Sequence, residues 1–118
     1  GKSFGFMQIS YPVLKDYCRE KGYRFTNGWA FIKDEFNEEK TAINLFSPEF
    51  NQRVGYWYLR KIQSWLPEEY KNSKAYIIFA YNSGIDKLRK NNWTIPEWTK
   101  KHPNKIYRSI YQEYWKSK

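Results

Sequence analysis

Apolar side chains recur at steps of three and four along two stretches of the chain, which is the spacing of an amphipathic helix. The longer stretch begins after Ser47-Pro48-Glu49, where a capping serine, a proline at the first helical position and an acid near the positive end of the helix dipole indicate a start. Leu66-Pro67 ends it. The apolar face of this predicted helix consists of Phe50, Val54, Trp57, Tyr58, Ile62 and Trp65.

A shorter helix is predicted near the N-terminus, after a loop over residues 1–10. Ser10 is placed to cap it, the helix starts near Tyr11 or Pro12, and Gly22 ends it. Its apolar positions are Val13, Leu14, Tyr17 and Cys18.

Two more helices are predicted in the second half of the chain. The apolar run between Ser73 and Asn82 is too short for periodicity alone to separate a buried strand from a helix, but Gly84 is placed to cap a helix and favours one. A basic segment and a proline-containing loop follow. The last helix is predicted from about Asn104 to Trp115, and its apolar face holds Ile106, Tyr107, Ile110, Tyr111 and Tyr114.

Residues 23–46 do not follow the helical spacing. Asn27-Gly28 lies between short aromatic runs and predicts a hairpin turn, whereas the acids at positions 34, 35, 38 and 39 predict a solvated helix face or loop. We therefore expect an all-α fold, or mostly so, with a possible small hairpin or insertion at 23–46. No repeat, low-complexity tract or Gly/Ser linker divides the chain, so residues 1–118 are predicted to form a single domain.

Composition points to an anionic partner. The formal net charge is +9 and aromatic residues make up 21% of the chain, which suits nucleic acid, an acidic membrane surface or bacterial cell wall. The longest apolar run, Ala75 to Tyr81, is far shorter than the roughly 18 residues that a transmembrane helix needs. No signal peptide is visible. The single cysteine, Cys18, excludes an internal disulfide and a metal site built on cysteines, and the single histidine, His102, suits a surface loop.

Three segments, in this order, carry a resemblance. They are Gly5-Phe6-Met7-Gln8-Ile9, then Asn51-x-x-x-Gly55-x-x-Tyr58-Leu59, and then Ala80-Tyr81-Asn82-Ser83-Gly84. Together they resemble the soluble lytic transglycosylase (SLT) family, with Phe6 in place of a usual leucine, and the pattern of the last helix is similar to that family's closing helix. The distance from Gln8 to Asn51 is longer than the family pattern, which again indicates an insertion within 23–46.

The resemblance implies a lysozyme-like helical domain that cleaves the MurNAc–GlcNAc bond of peptidoglycan and closes a 1,6-anhydro ring on MurNAc, with no cofactor or metal. One glutamate would act first as acid and then as base. The family carries it in a Glu-Ser pair before the Gly-x-Met-Gln loop. Residues 1–4 contain no carboxylate, so the acid is expected upstream of Gly1. The implied partner is the peptidoglycan glycan strand, the implied protein is bacterial or phage-encoded and monomeric, and the implied location is the periplasm or cell envelope.

By the same resemblance, Tyr81 would orient the catalytic acid or the adjacent sugar, and Asn82 would contact the sugar or fix the cleft wall. Met7 and Gln8 would line the glycan subsites. Each residue type also has an ordinary structural role: Tyr81 as a core tyrosine, Asn82 at a helix end and Met7 as a gap filler.

Internal acids are a weaker alternative for the missing carboxylate. The candidates Glu20, Glu35, Glu38 and Glu39 all have charged or polar neighbours, which favour the ionised form over a protonated acid.

Two other functions fit parts of the sequence. A catalytically inactive glycan-binding module would use the aromatic residues and positive charge alone. A nucleic-acid binder could use the basic and aromatic residues between Lys87 and Lys105, but the basic residues are spread along the whole chain and no nucleic-acid-binding signature is present. We therefore expect no specific nucleic-acid partner.

Overall fold

A computed structural model describes residues 2–118, and in them it combines α-helices with two small antiparallel sheets. The strands are β1 (Ser3–Phe4), β2 (Ile9–Ser10), β3 (Arg24–Thr26), β4 (Trp29–Lys33) and β5 (Glu39–Ile43). The helices are α1 (Tyr11–Lys21), α2 (Pro48–Trp65), α3 (Lys74–Ser83), α4 (Ile85–Lys90), α5 (Glu97–Lys101) and α6 (Lys105–Lys116), with a 3-10 turn at Glu68–Tyr70. The prediction of an all-α fold is therefore wrong.

The larger sheet, in the order β3-β4-β5, is built from the segment that did not follow helical spacing. Its first hairpin is the predicted one. Asn27 and Gly28 both have positive φ (51° and 81°) and join strands paired Thr26 to Trp29, because a two-residue hairpin turn of this hand matches the strand twist.

The acidic part of residues 23–46 forms the predicted loop at positions 34, 35 and 38, whereas Glu39 lies in a strand. Asp34 Oδ1 accepts hydrogen bonds from the backbone N–H groups of Phe36 and Glu38, at 2.9 and 3.0 Å, and so closes a turn. Glu39 then begins β5, which leaves β5 as an exposed edge strand. A carboxylate that caps its own turn stabilises a turn rather than a helix, and this is why a third strand can follow.

The chain's internal contacts divide it into two compact units, one ending at Trp57 and one spanning Tyr58–Lys118, with α2 contributing residues to both. The single-domain prediction for residues 1–118 stays a prediction, and each unit is described by itself. Among residues 2–118, none of the helices combines the length and the apolar character that a membrane-spanning segment requires.

The first unit buries one face of α1 against the start of α2 and the sheets. Its helices begin and end close to their predicted limits. Ser47 Oγ accepts a hydrogen bond of 3.4 Å from the Phe50 N–H, as its capping role predicts, whereas Ser10 makes no side-chain cap. The buried apolar residues are Met7, Ile9, Leu14, Tyr17, Cys18, Ala30, Leu45, Phe50, Val54 and Trp57.

The second unit is helical, and α3 packs on α6. The ambiguous apolar run is a helix, as predicted, because Ser73 caps its start and the Gly84 N–H bonds to the Ala80 carbonyl at 2.8 Å. The last helix is also confirmed, with Asn104 as its cap. The short helices α4 and α5 were not predicted. The buried residues of this unit are Leu59, Ile62, Leu66, Tyr76, Ile77, Ile78, Ala80, Tyr81, Leu88, Ile95, Ile110, Tyr111 and Tyr114.

Cys18 provides a test of the first unit's packing. Its thiol is buried, and burial raises its pKa to about 11, so at pH 8 only about one thiol in a thousand is ionised. We expect a disulfide reagent at pH 8 to label the native chain at least ~100-fold more slowly than the chain in guanidinium. Free cysteine measures the intrinsic rate, and native labelling near that rate would contradict the buried position.

Candidate functional site

The Gly5–Gln8 loop joins β1 to β2, which pair Phe4 with Ile9. Gln8 has a left-handed backbone (φ 54°), and it donates from its backbone N–H and from Nε2 to the same acceptor, the Gly5 carbonyl, at 3.1 and 2.9 Å. The side chain is partly exposed. One of the two N–H donors of its amide is engaged within the loop, so Gln8 can offer a glycan its carbonyl oxygen and its second N–H.

The Asn51 side chain ties this loop to α2. Its Oδ1 accepts a 2.9 Å hydrogen bond from the Met7 N–H, and its Nδ2 donates to the carbonyls of Phe4 at 2.8 Å and Leu45 at 3.1 Å. Asn51 is 2% exposed and is the one buried polar residue among residues 2–118. Without the Asn51 amide, these three backbone groups would lack their hydrogen-bond partner in a place with little access to water.

Gly55 lies one helical turn further along, against Met7. A Cβ placed on Gly55 would lie 2.5 Å from Met7 Cε and 2.8 Å from Met7 Cβ, which no real side chain tolerates. Gly55 thus lets Met7 pack closely against α2. Met7 is fully buried in this contact. Its predicted apolar contact with a glycan would require the loop to move, and in this structure its role is to fix the loop.

An apolar groove of about 360 Å³ runs beside the loop. Its rim carries two exposed rings, Phe6 at 61% and Phe46 at 75% exposure, and the exposed amide of Gln52. The other lining residues are Gly5, Met7, Leu45, Pro48 and Asn51. The groove therefore has apolar walls with a few polar groups, the composition typical of a ligand site.

A row of aromatic rings continues from this rim. Phe46 meets Phe4 edge-on at 5.9 Å between ring centroids, Phe4 stacks on Tyr11 at 4.8 Å, and Tyr11 meets Phe25 edge-on at 6.2 Å. Phe46 and Tyr11 are exposed, and the other two rings are partly so. Sequence reasoning missed this row, and the signal that could have found it is the high aromatic content itself.

Tyr81 and Asn82 belong to the second unit. Tyr81 is buried in α3, with its ring 5.3 Å from Tyr58 and 5.6 Å from Tyr107. Burial raises the pKa of its hydroxyl far above the ordinary value of 10, and the neighbouring Tyr107 and Tyr58 raise it further. The alternative that Tyr81 is a core tyrosine agrees with this burial. Asn82 is exposed in the last turn of α3, and the helix cap is Gly84 rather than Asn82.

The internal acids do not resemble a protonated general acid. Arg24 hydrogen-bonds Glu39 through two nitrogens, at 2.9 and 3.0 Å, and lowers the pKa of that carboxyl. Glu20 accepts a hydrogen bond from the Trp57 indole, and Glu38 pairs with Lys40 at 3.2 Å.

Within the described chain no cluster of three or more His, Cys, Asp or Glu is placed to hold a metal ion. His102 is exposed, stacks on Trp98 and bonds that residue's carbonyl through Nδ1.

Comparisons with protein-family models, with curated proteins and with solved structures found no match to this chain. The resemblance to the SLT family thus depends on the three motifs and on how their residues are placed.

Replacing Asn51 tests whether the loop depends on its amide. Asn51→Ala leaves one N–H and two carbonyls without their partner, so we expect a loss of about 2–4 kcal/mol in the free energy of unfolding, measured by urea denaturation. Gln52→Ala, its exposed neighbour on α2, should change that value by less than about 0.5 kcal/mol. Equal effects of the two substitutions would show that the amide network contributes nothing.

The buried tyrosines predict alkaline instability. Burial raises the pKa of Tyr17, Tyr76, Tyr81, Tyr107 and Tyr111 in the folded chain. Their contribution to stability is complete below the unfolded value of about 10 and is lost as pH rises above it, because the unfolded chain then releases protons first.

We expect the urea midpoint to fall above pH 10 and to fall less steeply in Tyr81→Phe. Absorbance at 295 nm reports tyrosine ionisation alongside the unfolding signal. Ionisation of every tyrosine near pH 10 in a chain that stays folded would contradict the buried placement.

Proposed function

We propose that this chain is part of a lytic transglycosylase of the SLT type, which acts on peptidoglycan at the cell envelope, and that its first unit binds the glycan strand along the groove beside Phe6 and Phe46. The observation that carries the proposal is the Asn51 network. It joins two of the three motifs that together suggested the family, Gly5-Phe6-Met7-Gln8-Ile9 and Asn51-x-x-x-Gly55. The network thus gives a single physical reason for the residues of both motifs, although the motifs are distant in sequence.

The groove has chemistry suited to a sugar. A pyranose ring presents apolar C–H faces and a polar edge, so it can stack on an exposed ring while its edge takes hydrogen bonds. Phe6 and Phe46 supply ring faces, and the Gln8 carbonyl oxygen and the Gln52 amide supply polar groups at the rim. The groove residues carry no charge, so glycan binding here would respond weakly to salt.

In the proposed reaction a protonated glutamate gives its proton to the leaving oxygen and then takes the proton of the muramoyl C6 hydroxyl, which closes on C1. The acid is still expected upstream of Gly1, because Glu20, Glu38 and Glu39 have partners suited to an ionised group.

Binding to purified peptidoglycan tests the groove. We expect Phe46→Ala to weaken cosedimentation with sacculi roughly threefold to tenfold at 0.3 M salt, because one ring contact is lost. The matched control is Phe36→Ala, which removes an equally exposed ring (76% against 75%) on the turn between β4 and β5. Equal loss in both variants, or no binding by the unaltered chain, would refute a glycan site in this groove.

The catalytic part of the proposal needs a product assay. The 118-residue chain, and the chain extended upstream through the expected Glu-Ser pair, are incubated with peptidoglycan, and 1,6-anhydromuropeptides are measured by mass spectrometry. Products from the extended chain alone support the proposal. Products from the shorter chain would place the acid within residues 1–118, and binding without products from either would leave a catalytically inactive binding module.

A further inference from the structure

The positive charge of the chain is concentrated in one unit. Residues 58–118 contain thirteen Lys and Arg against five Asp and Glu, a formal charge of +8, whereas residues 1–57 contain eight against seven, a formal charge of +1. Basic residues occur along the whole chain, but acids nearly offset them in the first unit. Nearly all of the net charge of +9 therefore belongs to the second unit.

Within the second unit, the acids from position 86 onward are already paired. Asp86 bonds Arg89 at 2.6 Å, Glu97 bonds Lys100 at 3.4 Å, and Glu113 bonds Lys116 at 3.6 Å. Each pair joins residues three apart on one helix. In the part of the chain that the structure describes, no carboxylate pairs with Lys87 or Lys90.

Lys87 and Lys90 line a cavity of about 500 Å³. They lie three residues apart on α4, so their side chains share a helix face, and two like charges at this spacing repel. Phe79 forms an apolar wall, with the Lys87 Nζ 6.0 Å from its ring centroid. Asn91, Thr94 and Thr99 add neutral polar groups to the lining.

The loop that contributes Asn91 and Thr94 to the cavity lining is held in an uncommon conformation. Asn92 and Trp93 both have left-handed φ, 53° and 59°, which is rare for a bulky side chain. The Tyr76 hydroxyl donates to the Trp93 carbonyl at 2.7 Å, and Asn91 Nδ2 donates to the Thr94 carbonyl at 3.0 Å. The polar wall is therefore fixed by bonds from α3 and from within the loop.

We propose that this cavity binds an oxyanion, a phosphate or carboxylate group, carried on a larger and partly uncharged molecule such as a sugar. An anion between the two ammonium groups converts their repulsion into attraction, and lysine binds oxyanions as a point charge without requiring a planar partner. The cavity exceeds the size of a single ion, and Phe79 provides an apolar wall for a ring face. This site belongs to the second unit and does not depend on the glycan groove.

Matched sugars test the site. Glucose 6-phosphate, glucuronate and glucose are titrated into the ¹⁵N-labelled chain at constant ionic strength. We expect saturable shifts of backbone signals between residues 87 and 99 with at least one of the two acids and none with glucose. The stronger of the two identifies the anion as phosphate or carboxylate. Absence of saturable binding by both, or equal binding of glucose, would overturn the proposal.

Paired charge variants separate a site from general electrostatics. The double variant Lys87→Gln/Lys90→Gln should bind the sugar acid at least about tenfold more weakly. The control Lys101→Gln/Lys105→Gln makes the same change in net charge outside the cavity lining, and its affinity should stay within about twofold of the unaltered chain. Equal losses in both double variants would overturn the site. The proposal would also be overturned if only the binding of a single-stranded oligonucleotide, and not that of the sugar acid, depended on Lys87 and Lys90. That result would favour nucleic acid instead.

Discussion

One asparagine side chain holds together three parts of the first unit that are distant in sequence. The Asn51 amide satisfies the N–H of Met7 and the carbonyls of Phe4 and Leu45, and all three groups lie where water has little access. Only an amide offers an acceptor and two donors on one short side chain. An aspartate would lack both donors, and a leucine would leave every partner unsatisfied. The position of the β1–β2 loop on α2, and hence the groove beside that loop, depends on this residue.

Gly55 complements the amide network by steric means. Hydrogen bonds set the distance between the loop and the first turns of α2, and the absence of a side chain at Gly55 lets Met7 occupy the space next to the helix. Because Met7 fills that space, the neighbouring Phe6 extends outwards to the rim of the groove. Phe6 is thus exposed because its neighbour Met7 is buried, as expected where the side chains of adjacent loop residues point in opposite directions.

Sequence reasoning succeeded where the hydrophobic spacing was long and its ends were marked. Helices α1, α2 and α6 have such spacing with marked ends, α3 was predicted from the placement of Gly84, and the Asn27-Gly28 turn carries its own signal. The β1–β2 sheet and strand β5 were missed because these strands are only two to five residues long, too short for an alternating pattern, and because β5 is almost wholly exposed. Helices α4 and α5 were missed because they are also short.

The candidate site was only partly predictable. A motif gives the identity of a residue but not the direction of its side chain, so Met7 could be expected at the ligand although it lies in the core. The aromatic row and the basic cavity have no local sequence pattern, since each draws on segments that fold together from separate positions.

The exposed strand β5 bears on the behaviour of the chain at high concentration. A free sheet edge offers unpaired backbone groups to the edge of another copy, and a chain that is 21% aromatic would gain much from such stacking. Glu39 and Lys40 begin this edge, and both are exposed charges in ion pairs, Glu39 with Arg24 and Lys40 with Glu38. Bringing two such edges together would require these charges to lose water, and the strand thereby opposes aggregation along its own length.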